Sequence, residues 1–398
     1  MILDARKVKD AVLEKEDASP GYSLCVAGGY PPPLTGMTIA TERLYDMLSE
    51  ERPVGRINFA EGGRGNPRDK MTWNRLRAVH RYAKEIRKAH PDVMIYANLS
   101  GSIPGHLRDF YVFNRGVPTD TNVICWVHNG NVARHFRTLG RQWSARQIAG
   151  KVHRFVLISK LLDRRLAAFV PAEKRRVIPN TIDEVMMCSG AEVERAQEAR
   201  RLRSGPIRCL YVSQMIRLKG YEVLLDAAAQ LRSAGHDVSV EYAGRWMTPE
   251  DEKRFHAYVA DRGMTDWVTM HGLVSDRSLL KTMMLEADMF VLPSYHPSEA
   301  SPICLIEALN AGLPVVSTEL GGIPDTVHHE VNGRLARPND PDDLAHQLSF
   351  LMEKDYRIAM GERARASFRK TFAPEIVRAQ WLELLAEVGA SLPGRERA

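Results

Sequence analysis

The chain has 398 residues, 44% hydrophobic and 26% charged, more than one ordinary core accommodates and a length that suggests two domains of roughly 200 residues each. No run approaches about 18 apolar residues, and the opening stretch MILDARKVKDAVLEKEDASP is charged throughout, so neither a membrane-spanning helix nor a secretory leader is expected. The net charge of +6 divides into +11 over residues 1–190 and −5 over residues 191–398, so the two halves are expected to face different partners, the basic one an anionic surface, unless these are simply solvated charges.

In the first half, short apolar runs at Ser23–Gly28, Arg56–Ala60, Val93–Ala97, Asn122–Val127 and Arg154–Ser159 alternate with amphipathic stretches such as Thr38–Leu48 and Trp73–Ala89. That rhythm predicts βαβ units around a parallel sheet. After the first strand, Tyr30-Pro-Pro-Pro-Leu-Thr-Gly36-Met-Thr38 leads into a helix. Glycine at such a junction lets backbone approach a phosphate, and the absence of GxGxxG disfavours a nicotinamide or flavin site. His128 follows a strand end, where it can face a cleft and bond a sugar hydroxyl or an acceptor; a lone histidine there is also compatible with a purely structural role. Within Thr72–His90, Trp73, Leu76, Val79, Tyr82, Ile86 and Ala89 share one face, expected to pack on the sheet. The arginines and lysines of that segment, with Arg134, Arg137, Arg141, Arg146, Lys151 and Arg154, could hold this domain against anionic lipid. No nucleic-acid recognition module is present. The five scattered cysteines, with no CxxC, fit buried free thiols of a reducing cytosol.

Asp183–Ser204 is polar and lacks a strand signal, so it is expected to connect the domains, with some helix at Ala191–Arg203. The alternation then restarts from Ile207–Ser213 and closes with helices at Pro341–Lys354, Tyr356–Phe372 and Pro374–Val388. The expected fold is α/β, two Rossmann-like doubly wound domains facing a central cleft. Residues 1–185 would form the acceptor domain and 186–372 the nucleotide-sugar domain, and 373–398 a helix returning toward the first.

The most informative stretch is SYHPSEASPICLIEALNAGLPVVSTELGGIP, Ser294–Pro324. Ser301 is expected to cap a helix that has Pro302 at its first position and ends at Ala311. The amides of Ser301, Ile303 and Cys304 would then form an anion site reinforced by the helix dipole. Glu299, just before the helix, could accept bonds from sugar hydroxyls, and Glu307, inside it, from a ribose diol. Alone, the two glutamates also fit a helix-terminal charge and a surface residue. Arg217 and Lys219, between the strand Ile207–Ser213 and the next helix, are placed to neutralise a diphosphate. Asp340-Pro-Asp342 has DxD spacing, but it precedes a helix and N-capping accounts for it; His328-His329-Glu330 is expected to be a turn. No metal is expected.

From Ser23 to about Val388 these residues resemble the large retaining glycosyltransferase family four, of GT-B fold. Glu299 and Glu307 are similar to its double-glutamate motif, with the continuation EALNAGLPVVST and GGIPD. Arg217 and Lys219-Gly220 resemble its diphosphate pair, His128 its cleft histidine and VNGRL its familiar turn. Two loops depart from its usual pattern: Thr35 precedes a single Gly36, and Asn180 is followed by Thr181. The resemblance implies that Arg217 and Lys219 bind diphosphate and Glu307 the ribose. It implies that Glu299 with the backbone at Ala300, Ser301, Pro302 and Ile303 orients the donor sugar, that Gly36 lends an amide, and that Ser213 and Gly244 complete the donor site. It also implies transfer with retention, without metal or cofactor. The donor would be a nucleotide-diphosphate sugar, uridine favoured over guanosine, and the acceptor a sugar or lipid-linked intermediate. The place would be the cytoplasm, peripherally at the membrane. An epimerase or phosphorylase of the same architecture, or an inactive sugar-nucleotide-binding homologue, is the alternative.

Overall fold

The computed structural model describes residues 22–32, 35–59, 73–97 and 99–389; the expectations for the opening stretch, Ala60 and Thr72 lie outside them. The chain divides into two compact units, 1–157 with 165–176 and 380–398, and 158–164 with 177–379.

The first unit opens with β1 (Leu24–Gly28), buried at every position, followed by α1 (Gly36–Ser49). Thr35 caps α1: its hydroxyl accepts the Thr38 amide at 3.2 Å, while the Thr38 hydroxyl accepts the Thr35 amide at 2.9 Å, a reciprocal cap that satisfies two helix-end donors. There follow β2 (Gly55–Asn58), α2 (Trp73–Ala89), β3 (Val93–Tyr96), α3 (Ile103–Arg115), β4 (Asn122–Val127), α4 (Ala133–Arg137), α5 (Gln142–Lys151), β5 (Val152–Leu157), α6 (Lys160–Leu166), most of which belongs to the second unit, and β6 (Arg175–Val177). The sheet runs β2-β1-β3-β4-β5-β6, with β2, β1, β3, β4 and β5 mutually parallel. Chain order reverses between β1 and β3, so the loops after these strands open outward where an α/β sheet takes its ligands. On α2, Tyr82, Ile86 and Ala89 are buried as the periodicity predicts, but Leu76 is 48% exposed.

The second unit contains α7 (Gly190–Leu202), β7 (Ile207–Val212), α8 (Tyr221–Ser233), β8 (Val238–Ala243), α9 (Pro249–Asp261), β9 (Val268–Gly272), α10 (Arg277–Glu286), β10 (Met289–Val291), α11 (Ile303–Asn310), β11 (Val315–Thr318), β12 (Gly333–Ala336), α12 (Pro341–Ser349) and α13 (Lys354–Thr371). Its sheet is parallel throughout, in the order β12-β11-β10-β7-β8-β9. Here the reversal falls between β7 and β10. Asp340 caps α12, its carboxylate accepting the Asp343 amide at 2.9 Å.

The expected connection at 183–204 belongs to the second unit. Met186, Cys188 and Val193 lie in that unit's core. Arg200, whose charge made α7 look like a solvated segment, is buried and donates to the carbonyls of Met284, Leu285, Ala287, Ala311 and Gly312. A guanidinium has five N–H donors and can be buried when carbonyls meet them. The chain enters the second unit at 157/158, returns at 164/165 and enters it again at 176/177, where the sequence suggested one boundary at 185/186. The final helix, α14 (Pro374–Glu387), carries the chain back to the first unit at 379/380. Its later residues serve the first unit: Trp381 packs edge-on against Trp126 with centroids 5.4 Å apart, and the Asn122 side chain donates to the Val388 carbonyl at 2.8 Å. Four of the five free cysteines are buried, and Cys304 partly so.

Candidate functional site

At the reversal point of the second sheet, the loop after β7 meets the loop after β10. The Tyr295 amide donates to the Leu218 carbonyl at 2.8 Å. Gly220, at φ 81°, makes the approach possible: a Cβ there would lie 2.1 Å from the Pro293 carbonyl oxygen, and the left-handed backbone itself favours glycine. Lys219 and Glu299, eighty positions apart, thereby come together. The Lys219 ammonium donates to both Glu299 carboxylate oxygens, at 2.7 and 2.9 Å, and the Ser294 hydroxyl donates to the same carboxylate at 2.6 Å. The Glu299 side chain is 8% exposed and that of Lys219 19%, so the pair is largely dry but still open to a ligand.

The loop carrying Glu299 is braced from beyond β11. The Gly322 amide donates to the Glu299 carbonyl at 3.1 Å. A Cβ on Gly321 would lie 2.1 Å from that oxygen, and one on Gly322 1.7 Å from the Ala300 carbonyl. The Thr318 hydroxyl holds the Ser294 carbonyl at 2.5 Å. A third close approach involves Gly244, where a Cβ would sit 1.8 Å from the Ser213 carbonyl oxygen, so the loops after β7 and β8 touch only because that residue is glycine.

Ser301 does not cap α11. The helix begins at Ile303 with Pro302 at the capping position and no side-chain cap; the Ser301 carbonyl instead receives the Asn180 side chain at 3.4 Å. The Leu305 amide turns back to the Pro302 carbonyl at 3.2 Å. Ile303 and Cys304 therefore contribute the amides that a helix start leaves for an anion.

Glu307 is buried, 3% exposed, and is not a surface residue. Its carboxylate pairs with Arg277, whose guanidinium also reaches Asp183 at 3.0 Å. Burial alone would lower the Arg277 pKa, but Glu307 and Asp183 together raise it. Arg217 goes elsewhere: it is mostly exposed and pairs with Glu222, in the first turn of α8, at 2.8 Å. An exposed pair of this kind contributes only about 0–1 kcal/mol, so the guanidinium is readily released. His296 lies nearby, its pKa lowered by burial and then by the Lys219 charge.

In the first unit, Gly36 opens α1, and a Cβ there would meet nothing within 4 Å. His128 packs edge-on against Trp126, centroids 4.1 Å apart; its Nε2 is buried without a partner among the described residues, and burial pushes its pKa down to about 3. Below the β3–α3 loop, Asp109 is fully buried and accepts bonds from the Tyr96 hydroxyl at 2.7 Å, the Ser100 amide at 2.8 Å and the Arg108 guanidinium at 2.7 Å.

Sequence reasoning missed Arg277, Ser294 and the bracing role of Gly321 and Gly322. The glycine pair was visible as a pair, but Arg277 carries no local signal.

Residues 192–367 match the family model described as glycosyl transferases group 1. It is similar to the putative colanic acid biosynthesis glycosyltransferase WcaL of Escherichia coli K12, 30% identical over 190 residues that cover 45% of each chain. It is also similar to the amylovoran biosynthesis glycosyltransferase AmsK of Erwinia amylovora, 31% identical over 57% of this chain and 54% of the other. These matches span about half the length of the curated relatives. Among solved structures, Anabaena HepE in complex with UDP superposes with a TM-score of 0.68 at 17% identity, over 92% of this chain and all of the other. The fold class is GT-B, two Rossmann-like α/β units in one chain.

Proposed function

We propose that this protein transfers a hexose or N-acetylhexosamine from a nucleotide-diphosphate sugar to a hydroxyl acceptor, with retention at the anomeric carbon and without a metal. The reading rests chiefly on the Lys219–Glu299 pair at the mouth of the second sheet's reversal point, beside the start of α11. An arriving diphosphate shares the Lys219 ammonium, draws Arg217 away from Glu222 and takes the amides of Ile303 and Cys304. Glu299 then turns its acceptor capacity to sugar hydroxyls, and Glu307, held in place by Arg277, accepts from the ribose. In the first unit, Gly36 lends a backbone amide to the diphosphate and His128 serves the sugar or the acceptor.

In the transfer step the bond from the acceptor oxygen to the anomeric carbon forms as the bond from that carbon to the phosphate oxygen breaks. The leaving phosphate takes the acceptor proton on the same face. Fixed positive groups around the departing diphosphate act where charge develops, which is usually the largest catalytic contribution. HepE, solved with UDP, supports uridine over guanosine as the base. The names of WcaL and AmsK support a lipid-linked or polysaccharide intermediate of cell-envelope glycan synthesis as the acceptor, made on the cytoplasmic side. Among the described residues no helix is long and apolar enough to cross a membrane.

Thermal shift with UDP, GDP and ADP and their sugars, followed by nucleotide-release assays with and without acceptor, tests the proposal. UDP is expected to raise Tm, release to depend on acceptor, and the product to keep the donor's anomeric configuration by NMR. An isomerised sugar nucleotide, phosphate-dependent release, or no stabilisation by any nucleotide overturns it.

A further inference from the structure

The turn that leads into Glu299 holds a histidine that the transfer step leaves unused. The Glu299 amide donates to the His296 carbonyl at 3.1 Å, closing a four-residue turn with Pro297 at its second position, where the fixed φ of proline suits the geometry. The turn is tied to the carboxylate it precedes. The Ser294 hydroxyl that donates to Glu299 at 2.6 Å also accepts the His296 amide at 3.4 Å. His296 is thus held by its own backbone beside the Lys219–Glu299 pair.

One nitrogen of the ring is committed. Nδ1 meets the Ser298 amide at 3.3 Å and the Ser298 hydroxyl at 2.9 Å. An amide N–H can only donate, so Nδ1 accepts and the proton of the neutral ring lies on Nε2. Burial, followed by the Lys219 charge, lowers the ring's pKa against the opposing pull of Glu299, which keeps this tautomer. The ring is half-buried, and Nε2 has no partner among the described residues. A donor of fixed tautomer therefore stands next to a carboxylate that can only accept. A hydroxyl both donates and accepts, so these two neighbours together can satisfy one completely. An epimer that turns the hydroxyl away leaves the N–H unpaired, which a polar site rejects. The diphosphate already has the Lys219 cation and the amides at the start of α11, where a neutral N–H adds little.

We propose that Nε2 of His296 donates to a hydroxyl of the donor sugar and so helps to select the sugar transferred. The proposal rests on the transferase reading above. Two variants separate this contact from the turn. His296→Asn keeps an acceptor for the Ser298 amide, as in an Asx turn, but is too short to place an N–H where Nε2 lies. His296→Gln carries an N–H to that distance and gives up the bond at Nδ1. Calorimetry on the full chain with UDP, UDP-glucose, UDP-galactose and UDP-N-acetylglucosamine, and with GDP and GDP-mannose, tests it. His296→Asn is expected to weaken the best-bound sugar nucleotide about fivefold relative to its nucleotide. It should also narrow the difference between the glucose and galactose donors and leave Tm unchanged. His296→Gln is expected to keep most of the wild-type ratio. No binding of any of these compounds to the wild type would overturn the transferase reading, and this contact with it. Nucleotide binding by the wild type, with a ratio that His296→Asn leaves unchanged, would overturn the contact alone. So would equal losses for nucleotide and sugar nucleotide, or a loss in His296→Gln as large as in His296→Asn, both marks of a residue that only shapes the turn.

Discussion

The two sheets reverse at different places and furnish those places differently. In the second unit the reversal point holds a cation and a carboxylate that meet at 2.7 Å with the lysine side chain 19% exposed. In the first unit, the carboxylate of Asp109 has no exposure at all, and its bonds to Tyr96, Ser100 and Arg108 are used to hold a loop. The two other groups nominated from the sequence in that unit are uncharged: the backbone at Gly36, where α1 starts, and the orphaned Nε2 of His128. A buried ion pair by itself is weak evidence of function. What separates the two is the carboxylate: that of Glu299 keeps 8% side-chain exposure, whereas that of Asp109 keeps none.

The largest test of this contrast is Lys219→Met. In the proposed mechanism Lys219 faces the leaving diphosphate, so its removal is expected to lower kcat about a thousandfold. It should also lower stability by about 3 kcal/mol, because Glu299 stays buried and unpaired. Adding Glu299→Gln is expected to restore the urea midpoint without restoring turnover, which divides the structural share of the pair from the chemical one. Glu307→Gln should weaken nucleotide binding about tenfold by calorimetry, consistent with a charge-assisted bond to a ribose hydroxyl. Arg217→Gln is expected to slow transfer several-fold with no change in Tm, because its resting partner Glu222 holds it only through an exposed pair.

Effects in the first unit should be smaller. Gly36→Ala meets open space, so Tm should be unchanged or slightly raised, while donor affinity falls a few-fold if the amide is used at close range. The unit's histidines should also give it a pH signature. Burial, followed by the His135 and Arg141 charges, lowers His106 from 6.5 to about 4, and burial lowers His128 to about 3. With native pKa values below the unfolded one, the unfolded chain binds more protons in this window. Stability is therefore full above pH 6.5 and declines as pH falls toward 4. Urea melts at pH 7 and pH 5 should show the decline, and His106→Gln should reduce it.

Much of this organisation is local and was legible. The alternation of apolar runs with helical patterns marks the strands of both sheets, and Asp340 was recognisable as a cap because a cap and its amide lie three residues apart. Lys219 and Glu299 could be nominated because each stands beside a strand end and a helix start. Ser301 was misassigned as a cap because a hydroxyl before proline has the right spacing, whereas the loop turns its carbonyl to Asn180 and begins the helix two residues later. The segment at 183–204 was misplaced because composition cannot show that five carbonyls from other parts of the chain surround Arg200.

Elements, caps and candidate residues were thus determined by the sequence itself, since hydrophobic period, proline and glycine act over a few positions. The order of strands, and with it the pairing of Lys219 with Glu299 and of Arg277 with Glu307, was decided only by the tertiary structure. Those contacts join residues 30 to 80 positions apart, and no local pattern specifies which loop meets which until the sheet has set its order.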